Sequence, residues 1–270
     1  MFLNRKYFYA MPLGVLFISA STSLSFGAGF IETFEDAAYR DRWNIANFDQ
    51  GGSNFVTAWR RKLASVTLPS APRQGGGQLR MTIQPAPPEA NKPIQGVQLS
   101  RGTDNHFGSY EVAMTAADGS GLISAFFVYT GPFFEDPHDE VDIEILGRDT
   151  TKVWVNKFAD GEQMPGEWID LGLDASWQEA IYRFEWTPNA ITWYVNGRKI
   201  HDITAVDHTI PQNPGKLYLN LWAGNEGQRQ WLGRVPEDFP PSQMTVSCVS
   251  YRPFGDLGDT CSDYFDATAP

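Results

Sequence analysis

An all-β sandwich or jelly roll is the fold class this sequence predicts, on three observations. Strand-like runs recur at short spacing, amphipathic helical periodicity is scarce, and turn residues punctuate the runs. The strands expected are Leu79 to Gln84, Tyr110 to Thr115, Leu122 to Tyr129, Glu140 to Leu146, Lys152 to Phe158, Tyr182 to Trp186, Ile191 to Val195 and Leu217 to Trp222. Asp118-Gly119, Asp160-Gly161, Asn196-Gly197 and several prolines separate them. Asn196-Gly197 lies between Ile191 to Val195 and Arg198 to His201 and signals a hairpin, because the favoured two-residue turn needs positive φ at both positions. Pro69 to Gly77 and Pro85 to Pro93 flank a single strand and read as surface loops, not linkers. No internal repeat is seen, and the Asp- and Gly-rich tail after Pro253 reads as irregular apart from Cys261.

Residues 1–27 read as an export signal: Arg5 and Lys6 begin it, Tyr7 to Ala20 is mostly apolar, and Ser25 and Gly27 precede a cut before Ala28. A membrane anchor is the weaker reading, since Pro12 and Gly14 break a short apolar run. The remaining 243 residues suit one large domain over 28–252, with 253–270 as a C-terminal tail. The chain carries a net charge of −11, which becomes −13 without Arg5 and Lys6. Such acidity argues against a nucleic-acid partner and for a substrate that is neutral or carries its charge away from the acidic site. No later segment is apolar and long enough to span a bilayer, and a monomer is expected. Cys248 and Cys261 are the only cysteines; in an exported chain they are most simply one disulfide pinning the tail, with a pair of unreactive thiols as the alternative.

The chemistry is concentrated in His138-Asp-Glu-Val-Asp-Ile-Glu-Ile-Leu-Gly147. On a strand, alternate side chains share a face, so Glu140, Asp142 and Glu144 line up while Val141, Ile143 and Ile145 point into a core. Three carboxylates on one face repel, and such clusters persist where a substrate, a metal or a shared proton relieves them. The Cα atoms of Glu140 and Glu144 should lie about 13 Å apart. Their side chains can lean together toward the roughly 5–5.5 Å separation used by retaining glycosidases. A solvated acidic face is the bland alternative. A metal site is disfavoured, because adjacent period-two positions make a poor closed coordination shell.

From Phe107 to Phe158 the sequence resembles the family 16 glycoside hydrolases, close to the bacterial lichenases and the exopolysaccharide-processing endoglycanases. The residues that carry it are Phe107-Gly-Ser-Tyr-Glu-Val112, Gly121-Leu-Ile-Ser-Ala-Phe-Phe-Val-Tyr-Thr-Gly-Pro132, the acidic strand and Gly147-Arg-Asp-Thr-Thr-Lys-Val153. Ile191 to Gly197 and Lys216 to Gly224, with its Asn220-Leu-Trp222, extend it. The resemblance implies a concanavalin A-like jelly roll whose concave sheet is a polysaccharide cleft. It implies a secreted, retaining endo-β-glucanase cutting β-1,3/β-1,4-type linkages, with Glu140 as nucleophile, Asp142 as helper and Glu144 as acid/base. His138, Trp154, Asn156, Phe158, Asn220 and Trp222 match substrate-contacting positions, and Trp59, Tyr129 and Trp231 are further aromatic candidates. No cofactor is implied. A structural calcium is an open question, because an Asp that helps bind it in relatives falls near Ser247.

The departures concern the sugar. The lichenase Glu-x-Arg that holds glucose falls on Gln98-Leu99-Ser100, a Gln on Trp154, a Tyr on Phe158, an Asn on Val56 and another on Ala223. The lichenase cysteine pair falls on Thr57 and Gly96, lost together. The reacting carboxylates are therefore kept while the shell that reads the glycan differs. Two other outcomes stay open on this scaffold: a transglycosylase, and a catalytically silent lectin-like module.

Overall fold

The computed structural model describes residues 27–49, 55–68 and 76–268. The expected export signal over 1–27, save Gly27, and most of the Pro69–Gly77 loop lie outside them. The described chain opens with β1 (Phe30–Glu32), α1 (Tyr39–Arg42), β2 (Asn44–Ile45), β3 (Thr57–Trp59), β4 (Ala64–Thr67), β5 (Gln78–Pro85) and β6 (Ile94–Asn105). Next come β7 (Gly108–Thr115), β8 (Leu122–Thr130), β9 (Asp139–Leu146), β10 (Lys152–Ala159), β11 (Glu162–Gln163) and β12 (Glu167–Asp170). The last part holds β13 (Ala180–Thr187), β14 (Ala190–Val195), β15 (Arg198–Thr204), β16 (Gly215–Ala223), α2 (Arg229–Leu232), β17 (Ser242–Pro253) and α3 (Cys261–Thr268).

These strands stack as two antiparallel layers. One runs β2-β6-β16-β8-β9-β10-β12 and carries the acidic strand near its middle. The other runs β4-β5-β17-β7-β13-β14-β15, with β1 alongside β17. The end of β5 also pairs with the start of β6, so the chain turns one layer into the other without a free edge there. The alternation read from sequence sorts the side chains. Val141, Ile143 and Ile145 of β9 are buried in the main core with Phe126, Val128, Val153, Val155, Phe184 and Trp193. Polar and aromatic positions of the same strands face outward.

All eight expected strands form, each within one or two residues of its boundaries. The expected hairpin is present: Asn196 and Gly197 have φ of 47° and 74°, and β14 pairs with β15. Two twelve-residue strands, β6 and β17, were not foreseen. Gly96 and Gly102 interrupt the pattern of β6, and β17 is buried on both faces where α3 covers it, with Ser247 and Ser250 among the buried residues. The tail corrects the expectation of irregular chain. Residues Cys261–Thr268 form a helix whose Thr260 and Asp263 bond each other across the first turn. The Cys248–Cys261 disulfide is formed, at a Cα–Cα distance of 5.8 Å, and packs with Ala113, Ile181 and Phe265. It clamps this helix to the convex sheet, away from the acids.

Candidate active site

The pairing register turns the concave sheet into a grid whose rows can be read across strands. In one row Phe158, Glu140 and Tyr129 are neighbours, with Lys216 beyond. The next row holds Asn156, Asp142, Phe127, Tyr218 and Ser100. A third holds Trp168, Trp154, Glu144, Ala125, Asn220 and Gln98. Beyond it come Leu146, Ile123 and Trp222. Every acid of the trio thus has a named neighbour on each side, set by backbone hydrogen bonds and not by loops.

The backbone beneath the trio is fixed from the core side: the Trp193 indole N–H donates to the Asp142 carbonyl at 3.0 Å. The strand's first residue is held by its own carboxylate. Asp139 accepts from the backbone N–H groups of Asp160, Gln212 and Asn213 and from the Asn213 amide, at 2.7–2.9 Å.

Burial, then the charge of Glu144, raises Glu140 from 4.5 to about 8, while a hydrogen bond from Asp142 pulls it back. Burial raises Asp142 well above the ordinary carboxylate range; the charge of Glu140 and its hydrogen bond add to this, and the Asn156 amide opposes it. Glu144 is raised well above its ordinary value by burial and then by Asp142. Near neutral pH the trio holds protons in common, which is what a site needs when one carboxyl must give a proton while another attacks.

A cleft of about 800 Å³ opens over this face. The trio, His138, Asn220 and Trp222 line it, together with Gln98, Ser100, Phe127, Tyr129, Lys216 and Tyr218 on the sheet and Phe48, Phe55, Phe133 and Phe134 from the rims. Of the six expected substrate-contacting residues, His138, Asn220 and Trp222 therefore line the groove. Asn156, Trp154 and Phe158 sit one strand further out. Asn156 is buried against Asp142, Trp154 packs on Trp168 and Trp231 at 5.1 and 5.9 Å, and Phe158 stacks under His138 at 4.2 Å. Trp222 both lines the groove and packs in a small cluster with Trp59, Ile123 and Leu232. The side-chain carbonyl oxygens of Asn156 and Asn220 are buried without a hydrogen-bond partner; Asn220 lines the cleft and Asn156 lies beside Asp142. Tyr218 and Lys216 were not singled out from sequence, although the period-two series Lys216, Tyr218, Asn220, Trp222 contains both.

Ser247 Oγ donates to Glu179 Oε2 at 2.7 Å, which offers one hydroxyl and one carboxylate. Among the described residues no group of three or more His, Cys, Asp or Glu is arranged to hold a metal ion. A calcium shell takes six to eight oxygens, backbone carbonyls among them, and the Ser247 and Glu179 side chains alone supply fewer.

A polymer-sized groove on a curled β-sandwich, floored by unpaired acids and sided by aromatics, defines a carbohydrate-active enzyme. The family model of glycosyl hydrolases family 16 matches residues 61–239, and the chain belongs to that family. It is a glycoside hydrolase acting on O-glycosyl bonds. A β-glucanase of Bacillus amyloliquefaciens is 38% identical over 80% of this chain and 84% of its own length. Among solved structures, a β-1,3-1,4-glucanase (lichenase) derived from a mouse hindgut metagenome is 33% identical with a TM-score of 0.74, covering 84% of this chain and all of its own. The Bacillus licheniformis β-glucanase is 35% identical with a TM-score of 0.73, covering 84% and 99%. Among the described residues no helix is long and apolar enough to cross a membrane.

Proposed function

We propose that this chain is a secreted endo-β-glucanase that cuts internal β-1,3/β-1,4-type linkages with retention of configuration. The supporting observation is the acid trio in register on the cleft floor, flanked by aromatics on β8 and unsatisfied amides on β10 and β16. Relatives named β-glucanase support the substrate class. Residues 1–27 would direct export, 28–252 would form the catalytic domain, and the clamped tail would stabilise it.

In the first step Glu144 gives its proton to the glycosidic oxygen as the C1–O bond breaks, and the Glu140 carboxylate forms an ester bond to C1. In the second, water attacks C1, Glu144 takes its proton, and Glu140 leaves as carboxylate. Asp142, hydrogen-bonded to Glu140, takes up and returns the charge that Glu140 loses and regains. Asn220 and Trp222 would hold sugars inside the groove, while Trp154, Asn156 and Phe158 would act at its edge.

Glu144→Ala should lower kcat on a mixed-linkage glucan about 10³-fold or more, and azide should partly restore turnover of an activated aryl glucoside as a β-glycosyl azide. NMR of fresh wild-type products should show the β-anomer; inverted products would overturn the mechanism. Gln98 and Ser100 stand where lichenases carry Glu and Arg. Lichenan, laminarin and succinoglycan-type polymers should therefore be compared, with product linkages sequenced and acceptor sugars added to read transglycosylation.

A further inference from the structure

His138 sits at the mouth of the acidic strand, two residues before Glu140 and on the same face. Its Nε2 lies 2.7 Å from Glu140 Oε2. The imidazole is stacked flat on Phe158, with centroids 4.2 Å apart and planes at 12°. The Tyr129 ring meets it edge-on at 5.2 Å. Phe158 and Tyr129 are the two register neighbours of Glu140 itself, so the same pairing that places the carboxylate places the clamp around its partner. The backbone is pinned as well: the His138 carbonyl accepts from Gly161 N–H at 2.9 Å, and Asp139 is anchored by three backbone amides.

We propose that His138 is a positioning residue for Glu140: its Nε2–H holds Oε2, leaves the other carboxylate oxygen free for the sugar, and stabilises Glu140 as it departs in the second half-reaction. This rests on Glu140 being the nucleophile. An ionised carboxylate only accepts hydrogen bonds, so the tautomer that fits an attacking Glu140 carries its proton on Nε2. Burial favours a neutral ring, while the neighbouring carboxylates, Glu140 when ionised and Asp139, favour the imidazolium. Burial lowers its pKa, with the Asp139 charge opposing. Tyr129, from β8, is itself raised by burial and then by Glu140. Phe158, from β10, carries no charge. On β16, the Lys216 ammonium is directed over the Phe134 ring at 4.6 Å, and Asp136 of the preceding turn is occupied by the Thr130 hydroxyl. A neutral donor favours the ionised form of Glu140, against the burial that raises its pKa, without adding a cation that would also ionise Glu144.

The site thus gives the nucleophile two opposed hydrogen bonds, from Asp142 on the floor and His138 at the rim. Removing the rim donor raises the pKa of Glu140 and weakens it as a leaving group. Both halves of the reaction respond, and the second responds most, because there the carboxylate charge is being regenerated.

The test compares wild type, His138→Phe, which keeps a ring in the clamp without a donor, and His138→Gln, which restores an N–H. Wild type is first treated with an activated 2-deoxy-2-fluoro cellobioside or laminaribioside and analysed by peptide mass spectrometry. An adduct on Glu140 is expected, and its absence would overturn the assignment of the nucleophile itself. With the adduct in hand, His138→Phe should move the acidic limb of the kcat/KM profile up by about 1 pH unit. It should also slow reactivation of the adduct by about 10- to 30-fold, the worth of one hydrogen bond to a charged group. His138→Gln should recover most of both effects. An unchanged pH limb and reactivation rate in a folded His138→Phe protein, with only KM raised, would overturn the proposal in favour of a plain sugar contact. A defect that His138→Gln shares in full would overturn it too.

Discussion

Buried acids occur in two settings in this molecule, and the contrast between them separates architecture from chemistry. Glu32, under the N-terminal segment, is almost fully buried, yet Arg42 lies at 2.6 Å and Arg101 at 3.4 Å, and the Phe34 N–H and Trp43 indole donate to it. Glu111, beneath the tail helix, faces Arg183 at 3.7 Å and accepts from Ser262 N–H at 2.7 Å. Both are compensated by a cation from another part of the fold. Glu140, Asp142 and Glu144 are not: no Lys or Arg among the described residues forms an ion pair with any of them, and their partners are one another, Asn156 and His138. A fold that gives Glu32 and Glu111 a Lys or Arg partner leaves three acids without one in one place, and that place is the floor of its cleft.

The convex side should depend on its clamp more than on any single ion pair. Replacing Cys248 and Cys261 together by Ala should cost about 3 kcal/mol in denaturant unfolding while leaving kcat unchanged. Equal loss of activity and stability would mean that the tail reaches the cleft. Glu32→Gln should be next, at about 2 kcal/mol, because Arg101 loses its carboxylate while Arg42 is exposed enough to find water. Activity below the melting range should again be preserved.

On the concave side the sign should reverse. A carboxyl whose folded pKa is raised above its unfolded value contributes full stability below the unfolded value, near 4.5, and that contribution is lost as pH climbs through the folded one. Glu144→Gln removes the group that resists ionisation. It should therefore be more stable than wild type by about 1 kcal/mol at pH 8, and equal to it at pH 4, in thermal melts run at both values. A Glu144→Gln protein less stable than wild type at pH 8 would show that the trio is compensated after all.

The acidic strand, the hairpin at Asn196-Gly197 and the disulfide were legible because each depends on local chemistry: period-two alternation, positive φ, and two cysteines with no other company. Strands β6 and β17 were not, since glycines and two-sided burial erase alternation, and burial is a property of what packs on top. The tail helix was missed for a similar reason. Its eight residues are too few to hold a helix by themselves, and its order comes from Cys248 and Ser250 on β17 and from Glu111 on β7. Within the site, His138 was visible as a neighbour of the acids, but its clamp was not, because Tyr129 and Phe158 meet it only through the register of three strands. Phe158 and Trp154 read as sugar contacts from the resemblance, and the register sets both on β10, one strand out from the acids.

The indole of Trp193 ties the midpoint of the acidic strand to the buried layer beneath it, so the groove has a rigid anvil where a softer sheet would have a mattress. A polymer laid over Glu140 and Glu144 cannot press that floor down to suit its relaxed chair. Under the proposed mechanism, a sugar ring bound there would take up the bending at the point of cleavage, where flattening hastens the break.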